Sequence, residues 1–252
     1  MLKKRILRVI EDCKIKIFKR TYSWFLGRLI NEDFNKNNYI QIENENQALN
    51  HFKKHIDYFI KIKDEYNYKT EQNLKNIHRY NIIKYYKGFK YIDINRFLRG
   101  EQLENNSEYN LNKIKISIDV ITKELKNFRL PFNVIVLRRV SNRFFNKTLL
   151  KGCKYKDGIE FTDKGFLSTS LNTNINYLDT ERHDYNSGKS LMILKVPKGI
   201  SALYIEPVDD KGELELLLER GLKMKIVKRI IVFSRRIYLI EILVTGKKKP
   251  NL

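Results

Sequence analysis

Two glutamates two residues apart, Glu213 and Glu215, stand in Gly212-Glu213-Leu214-Glu215-Leu216-Leu217, a run that otherwise reads as a buried strand. On a strand, residues i and i+2 point to one face, about 6–7 Å apart. Such faces normally carry apolar residues, and like charges side by side repel. Either both carboxylates serve one site, or the strand face is solvated and the pairing is incidental. The residues upstream favour a site. Ser168-Thr169-Ser170 follows Phe166-Leu167, with Ser168 and Ser170 on one strand face and Thr169 on the other. Arg138 and Arg139 end the strand-like run Asn133-Val134-Ile135-Val136-Leu137 and point to opposite faces. A serine hydroxyl can orient a carboxylate, and the fork of an arginine suits the paired oxygens of a phosphate.

The elements that must position these residues change character along the chain. Ala48, Phe52, His55, Ile56, Phe59 and Ile60 recur at helical spacing. A second helix is expected over Asn73–Tyr86, ended by Gly88 at a positive φ. Tyr91 to Gly100 follows, then a polar loop from Glu101 to Asn110. Ile114, Ile118, Ile121, Leu125 and Phe128 mark a further helix, closed before Pro131. After Pro131 the pattern turns to strands: Asn133–Arg138, Gly165–Leu171, Leu191–Val196, Ala202–Ile205, Leu214–Leu218, Lys223–Phe233 and Ile237–Val244. Helices first and strands later predict an α+β fold rather than alternating βαβ units.

With 252 residues and 42% hydrophobic content, the chain can bury a sizeable core. A net charge of +21 attracts anionic partners. It carries no helix-turn-helix, zinc-finger or RNA-binding signature, so nucleic-acid binding rests on charge alone. GxGxxG and GxxxxGK[ST] are both missing, which argues against dinucleotide and P-loop folds. Cys13 and Cys153 form no CxxC pair, and His51 and His55 lack an HExxH frame, so no metal site is expected. No run of about 18 apolar residues spans a membrane. Residues 1–30 form a basic, partly amphipathic segment without the apolar core of a signal peptide. That segment could dock on an anionic membrane or an acidic host protein, or pack as an ordinary N-terminal helix. Residues 31–46 read as a polar linker.

In order, Arg138, Ser168-Thr169-Ser170 and Glu213-Leu214-Glu215 resemble the Arg / Ser-Thr-Ser / Glu-x-Glu signature of arginine-directed mono-ADP-ribosyltransferase toxins. The likeness is greatest to the enzymatic components of iota-type binary toxins and their insecticidal relatives. Tyr85-Tyr86-Lys87-Gly88, Tyr91, Ile94-Asn95 and Leu98-Arg99 also look like that family's N-terminal helical element. The resemblance covers roughly residues 46–246. It implies N-terminal helices packed on a two-sheet mixed β core, with NAD as co-substrate and no metal. It assigns Glu215 to the oxocarbenium-like ribose, Glu213 to the incoming guanidinium and Ser168 to orienting Glu215. Arg138, Arg139, Ser168, Thr169, Asn95, Arg99 and Tyr185 are the NAD-binding residues it implies. Asn95 and Arg99 could instead be the core and surface of a helix end. Tyr185, in the polar loop before Lys189, would stack on nicotinamide.

The chain departs from the pattern at Leu137, where the family often has tyrosine. The turn Glu206-Pro207-Val208-Asp209-Asp210-Lys211-Gly212 carries acids where the toxins often present an aromatic residue to their target. With Glu213, Glu215 and Glu219 it suggests an acidic mouth in a basic chain, and a target other than actin. The expected organisation is a basic extension at 1–45, a catalytic domain at 46–246 and a basic tail at 247–252. The partner would be a protein presenting an arginine, with a separate translocation protein possible by analogy. Delivery would follow a route without a signal peptide, or the protein would act in the cytoplasm. A catalytically weak module that binds through its basic surface is the alternative.

Overall fold

Helices precede strands in the computed structural model, as the sequence pattern expects. It describes residues 38–69, 79–152, 155–173, 189–208, 212–232 and 235–244, with 24, 27 and 28. The helices are α1 (Glu45–Lys69), α2 (Arg79–Tyr85), α3 (Tyr91–Arg99) and α4 (Glu108–Lys126). The strands are β1 (Val134–Ser141), β2 (Glu160–Asp163), β3 (Leu167–Ser170) and β4 (Lys189–Val196), then β5 (Ala202–Tyr204), β6 (Glu215–Leu218), β7 (Leu222–Val232) and β8 (Arg235–Ile242). Among the described residues no helix is long and apolar enough to cross a membrane. The N-terminal segment up to residue 23 and the 247–252 tail lie outside the described residues.

Hydrogen bonding links the strands in one series, β2-β7-β8-β4-β1-β3-β6-β5. The link between β1 and β3 is a single residue pair, Leu137 opposite Ser170. Five strands lie on one side of that thin join and three on the other. One core gathers side chains from both halves: Val136 of β1, Met192 of β4 and Tyr238 of β8 meet Leu167 of β3 and Leu216 of β6. Strands from both sides of the thin join therefore line one core. A second core lies between the helices and the smaller half, where Phe59, Ile83, Ile94, Ile118 and Ile121 pack with Phe166, Leu203 and Leu217.

Three local expectations change. Gly88 does not end a helix at positive φ. It sits inside a π-helical turn, Tyr86–Lys90, that runs from α2 directly into α3. The tertiary setting keeps the chain helical here, and single-turn π bulges recur at functional sites. On α1 the buried stripe continues through Ile62, whereas Ile60 is exposed. Residues 38–44, within the stretch read as a linker, run beside the strands. Ile40 bridges to Val134 and Ile42, fully buried, bridges to Asn172. His55 is a core residue, its Nδ1 accepting from the Tyr204 N–H at 3.1 Å, and burial lowers its pKa to about 4.

The β2–β3 turn is fastened by α3. Arg99 Nε and Nη2 donate to the two oxygens of Asp163 at 2.8 and 2.9 Å. Asn95 Oδ1 accepts from the Phe166 N–H at 2.8 Å. Gly165 passes so close beneath both that a Cβ there would sit 2.8 Å from Arg99 Nη2 and from Asn95 Oδ1. Both side chains are pinned and neither can swing away freely. Gly165→Ala is therefore expected to destabilise the protein by about 1–3 kcal/mol. Urea unfolding would show this as a lower midpoint at an unchanged slope, and a wild-type midpoint would mean that the latch yields freely.

Candidate active site

Strand alternation on β3 and β6 sets the floor of the site. Ser168 lies opposite Leu217, and Ser170 opposite Glu215. Leu217 belongs to the core under the helices, whereas Leu216 and Leu218 belong to the core lined from both sides of the join. Ser168 and Glu215 are thereby placed on the helix side. The Ser168 hydroxyl donates to Glu215 Oε1. Thr169 turns the other way, and its hydroxyl donates to the Leu216 carbonyl at 2.6 Å.

Glu213 does not reach the site by strand alternation. β6 begins only at Glu215, and Leu214 adopts a left-handed φ of 46°, following Gly212 at 68°. A turn, not a regular strand, brings both glutamates to one cleft. Ser170 Oγ donates to the Glu213 carbonyl at 2.8 Å. Glu206, on the short 3-10 turn after β5, accepts the Glu213 N–H on Oε1 at 3.0 Å and the Glu215 N–H on Oε2 at 3.1 Å. Lys87 Nζ, from the π-helical turn, donates to the same Oε2 at 3.2 Å. Both side chains of this ion pair are almost fully buried.

The cleft measures ≈ 470 Å³. Tyr86, Lys87, Gly88, Tyr91 and Asn95 form its helical wall, and Leu137, Arg138, Arg139 and Ser168–Ser170 its strand wall. Glu213 and Glu215 complete it. Arg138 Nη1 donates to the Ser168 carbonyl at 3.4 Å, and burial lowers the pKa of its guanidinium. Arg138 and Arg139 alternate along β1, yet both border the cleft. Glu213 is exposed, but Glu215 is only 6% exposed. Burial lifts the Glu215 carboxyl from 4.5 to about 7; the Ser168 hydrogen bond and Lys87 oppose the rise, and Glu213 and Glu206 add to it.

The cleft thus collects Arg138, Arg139, Ser168, Thr169, Asn95, Glu213 and Glu215 from the residues singled out in the sequence. Asn95 is buried and spent on neighbours, donating to the Tyr86 hydroxyl at 3.1 Å besides holding Phe166. Arg99 is engaged with Asp163 and borders a different cavity, of ≈ 540 Å³. Tyr185 lies outside the described residues. The acidic mouth is smaller than the sequence suggested. Glu206 is buried against Lys87, and Glu219 Oε1 accepts the Ser201 N–H at 3.1 Å, away from the cleft. Asp209 and Asp210 lie outside the described residues.

Lys87 and Glu206 are the site residues that sequence reasoning did not single out as partners. Their signal was faint but real. Glu206 follows the apolar Leu203-Tyr204-Ile205, whereas Lys87 follows Tyr85-Tyr86 with Lys84 close by and gives a weaker signal. A charge embedded in an apolar run is buried only with a partner.

Residues 63–249 match the family described as ADP-ribosyltransferase exoenzyme. No curated protein matches the chain. Among solved structures, the fold is similar to Plx2a, an ADP-ribosyltransferase toxin from Paenibacillus larvae, at TM-score 0.57 and 22% identity, covering 81% of this chain and 100% of that one. It is similar to the Clostridium limosum C3 exoenzyme at TM-score 0.57 and 20% identity, covering 82% of this chain and 98% of that one. It is also similar to the ADP-ribosylating toxin BECa of a C. perfringens binary enterotoxin, solved with NADH, at TM-score 0.58 and 20% identity. That match covers 81% of this chain and 50% of the toxin. The family match spans most of the chain, and the protein belongs to the ADP-ribosyltransferase exoenzyme family of NAD-using toxins.

Proposed function

We propose that the chain transfers ADP-ribose from NAD to an arginine of a target protein. The observation that carries this reading is the pair of glutamates lining one cleft in unlike surroundings, Glu215 buried against Ser168 and Glu213 exposed. The cleft suits the dinucleotide. Arg138 and Arg139 supply cations for its phosphates, and a carboxylate stands ready for a ribose. Thr169 would contribute backbone rather than hydroxyl, since its Oγ1 is committed to Leu216.

In the reaction, the bond between the ribose carbon and the nicotinamide nitrogen breaks, and nicotinamide leaves with the electron pair. Positive charge builds on the ribose. Glu215, ionised and held by Ser168, stabilises that charge, as a fixed carboxylate does in glycoside cleavage. A guanidinium is a poor nucleophile because it is protonated at neutral pH. Glu213, exposed at the rim, is placed to bind it and take a proton as the new carbon–nitrogen bond forms. A glutamate rather than a glutamine at 213 supports arginine as acceptor, because only a carboxylate can both pair with the cation and accept its proton. The proposal includes a catalytic domain that takes in residues 46–246, and delivery to the target's cell by a separate protein component.

Glu215→Gln is expected to lower nicotinamide release and transfer by about 100- to 1,000-fold. Glu213→Gln is expected to lose transfer to arginine while keeping nicotinamide release. Labelled NAD in a host-cell lysate, with mass spectrometry of the labelled protein, reads both. Label on a residue other than arginine would refute the acceptor, and equal loss of both activities in Glu213→Gln would refute the division of roles.

The lifted pKa of Glu215 sets two pH dependences. The ionised form is the working form, so kcat/KM for nicotinamide release should rise as pH passes about 7 and level off above it. Stability runs the opposite way. A carboxyl whose pKa is raised by folding favours the folded state below pH 4.5, and that contribution is lost as pH rises through about 7. Glu215→Gln should therefore be more stable than wild type at pH 8, by on the order of 1–3 kcal/mol, with the gap closing by about pH 4.5. Denaturant unfolding at the two pH values checks this, and a gap that does not change with pH would contradict it.

A further inference from the structure

We propose that the buried Lys87–Glu206 ion pair is a positioning device that sets where the Glu213 and Glu215 carboxylates stand. The inference rests on the roles given to those two glutamates above. The segment it holds is an irregular turn whose carbonyls are tied by Ser170 Oγ and the Leu171 N–H, while its N–H groups at 213 and 215 turn to Glu206. Leu214 is a non-glycine residue at φ 46°, a conformation that disfavours side chains with a Cβ. Glu213 precedes β6 and has no strand ladder of its own. Glu206 replaces the missing ladder, because its two carboxylate oxygens accept one N–H from each glutamate, at 3.0 and 3.1 Å.

A carboxylate that is only 4% exposed needs a counter-charge to stay ionised. Lys87 provides it at 3.2 Å, with its own side chain 1% exposed. The lysine stands on the π-helical turn that forms one wall of the cleft. The pair therefore ties the helical wall to the glutamate segment across the site. An apolar pair could match its contribution to stability. It could not supply two acceptor oxygens to two neighbouring N–H groups.

The same cation bears on Glu215. That carboxylate faces Glu213 on its own segment, Glu206 from the turn after β5, Lys87 and Tyr86 from the helical wall, and Arg138 from β1. Removing the Lys87 charge removes a cation that favours the ionised form and leaves two anions that oppose it.

Nicotinamide release from NAD by the full chain, without any target protein, tests the inference. Lys87→Met is expected to lower kcat about 10- to 100-fold while KM for NAD stays within about threefold. The acid limb of kcat/KM should move up by about half a pH unit or more. Lys87→Arg, which restores the charge, should recover most of kcat. If Lys87→Met does not fold, the double variant Lys87→Met/Glu206→Gln carries the test, because it leaves no uncompensated buried charge. It should remain at least about tenfold down in kcat, since a glutamine offers one acceptor oxygen to two N–H groups. Wild-type kcat in Lys87→Met or in the double variant overturns the inference. So does an equal fall in Lys87→Met and Lys87→Arg with no shift of the acid limb. A wild-type chain that releases no nicotinamide overturns the proposed function itself, and this inference with it.

Discussion

The glutamate segment of the cleft is braced from below by one buried carboxylate. Glu206 accepts the backbone N–H of Glu213 and of Glu215, and Lys87 neutralises it out of contact with water. Backbone N–H groups buried without acceptors are costly, so the segment adopts the path on which both are satisfied. That path bends through the left-handed Leu214 and leaves Glu213 at the rim while it delivers Glu215 to the interior. The difference in surroundings follows from this. Two chemically identical side chains acquire unlike properties because one is desolvated and hydrogen-bonded to Ser168 while the other meets water, and such a difference lets paired carboxylates divide a reaction between them.

The strand that carries Ser168 is held just as firmly at its other end. Asn95 and Arg99 lie four residues apart on α3, on the same face of the helix. One holds the Phe166 N–H and the other grips Asp163, so the helix fixes where β3 starts. From there the register of β3 against β6 places Ser168 within reach of Glu215, and the single pairing of Ser170 with Leu137 sets β1 beside them. Arg138 then lies over the Ser168 carbonyl. The residues of the Arg, Ser-Thr-Ser and Glu-x-Glu motifs thus reach one cleft from β1, β3, β6 and the turn before β6.

Two of the residues that the sequence resemblance marks for NAD also brace the structure. Asn95 spends both ends of its amide on Tyr86 and Phe166. Arg99 is occupied by Asp163 and lies over the Phe144 ring, its guanidinium carbon 4.7 Å from the ring centroid. A chain of net charge +21 suits an anionic dinucleotide.

The order of helices and strands was legible in the sequence except for the short β2 at Glu160–Asp163, because apolar periodicity reports directly which face each longer element buries. That Arg138, Ser168, Glu213 and Glu215 would come together was suggested by their order along the chain and its resemblance to a known signature, and the four line one cleft. Three things were not legible. Gly88 looked like a helix stop, because a glycine's local freedom gives no hint of a π turn imposed by packing. Glu213 and Glu215 looked like neighbours on one strand face, because spacing cannot reveal a left-handed residue between them. Lys87 and Glu206, 119 residues apart, were read apart, one in a helical element and the other in an acidic turn, with nothing to pair them. Local sequence determines what a segment prefers and which atoms it offers. Only the tertiary structure decided which distant charge would be buried against which, because the cost of burying either one is met only when the fold brings the other within hydrogen-bonding distance.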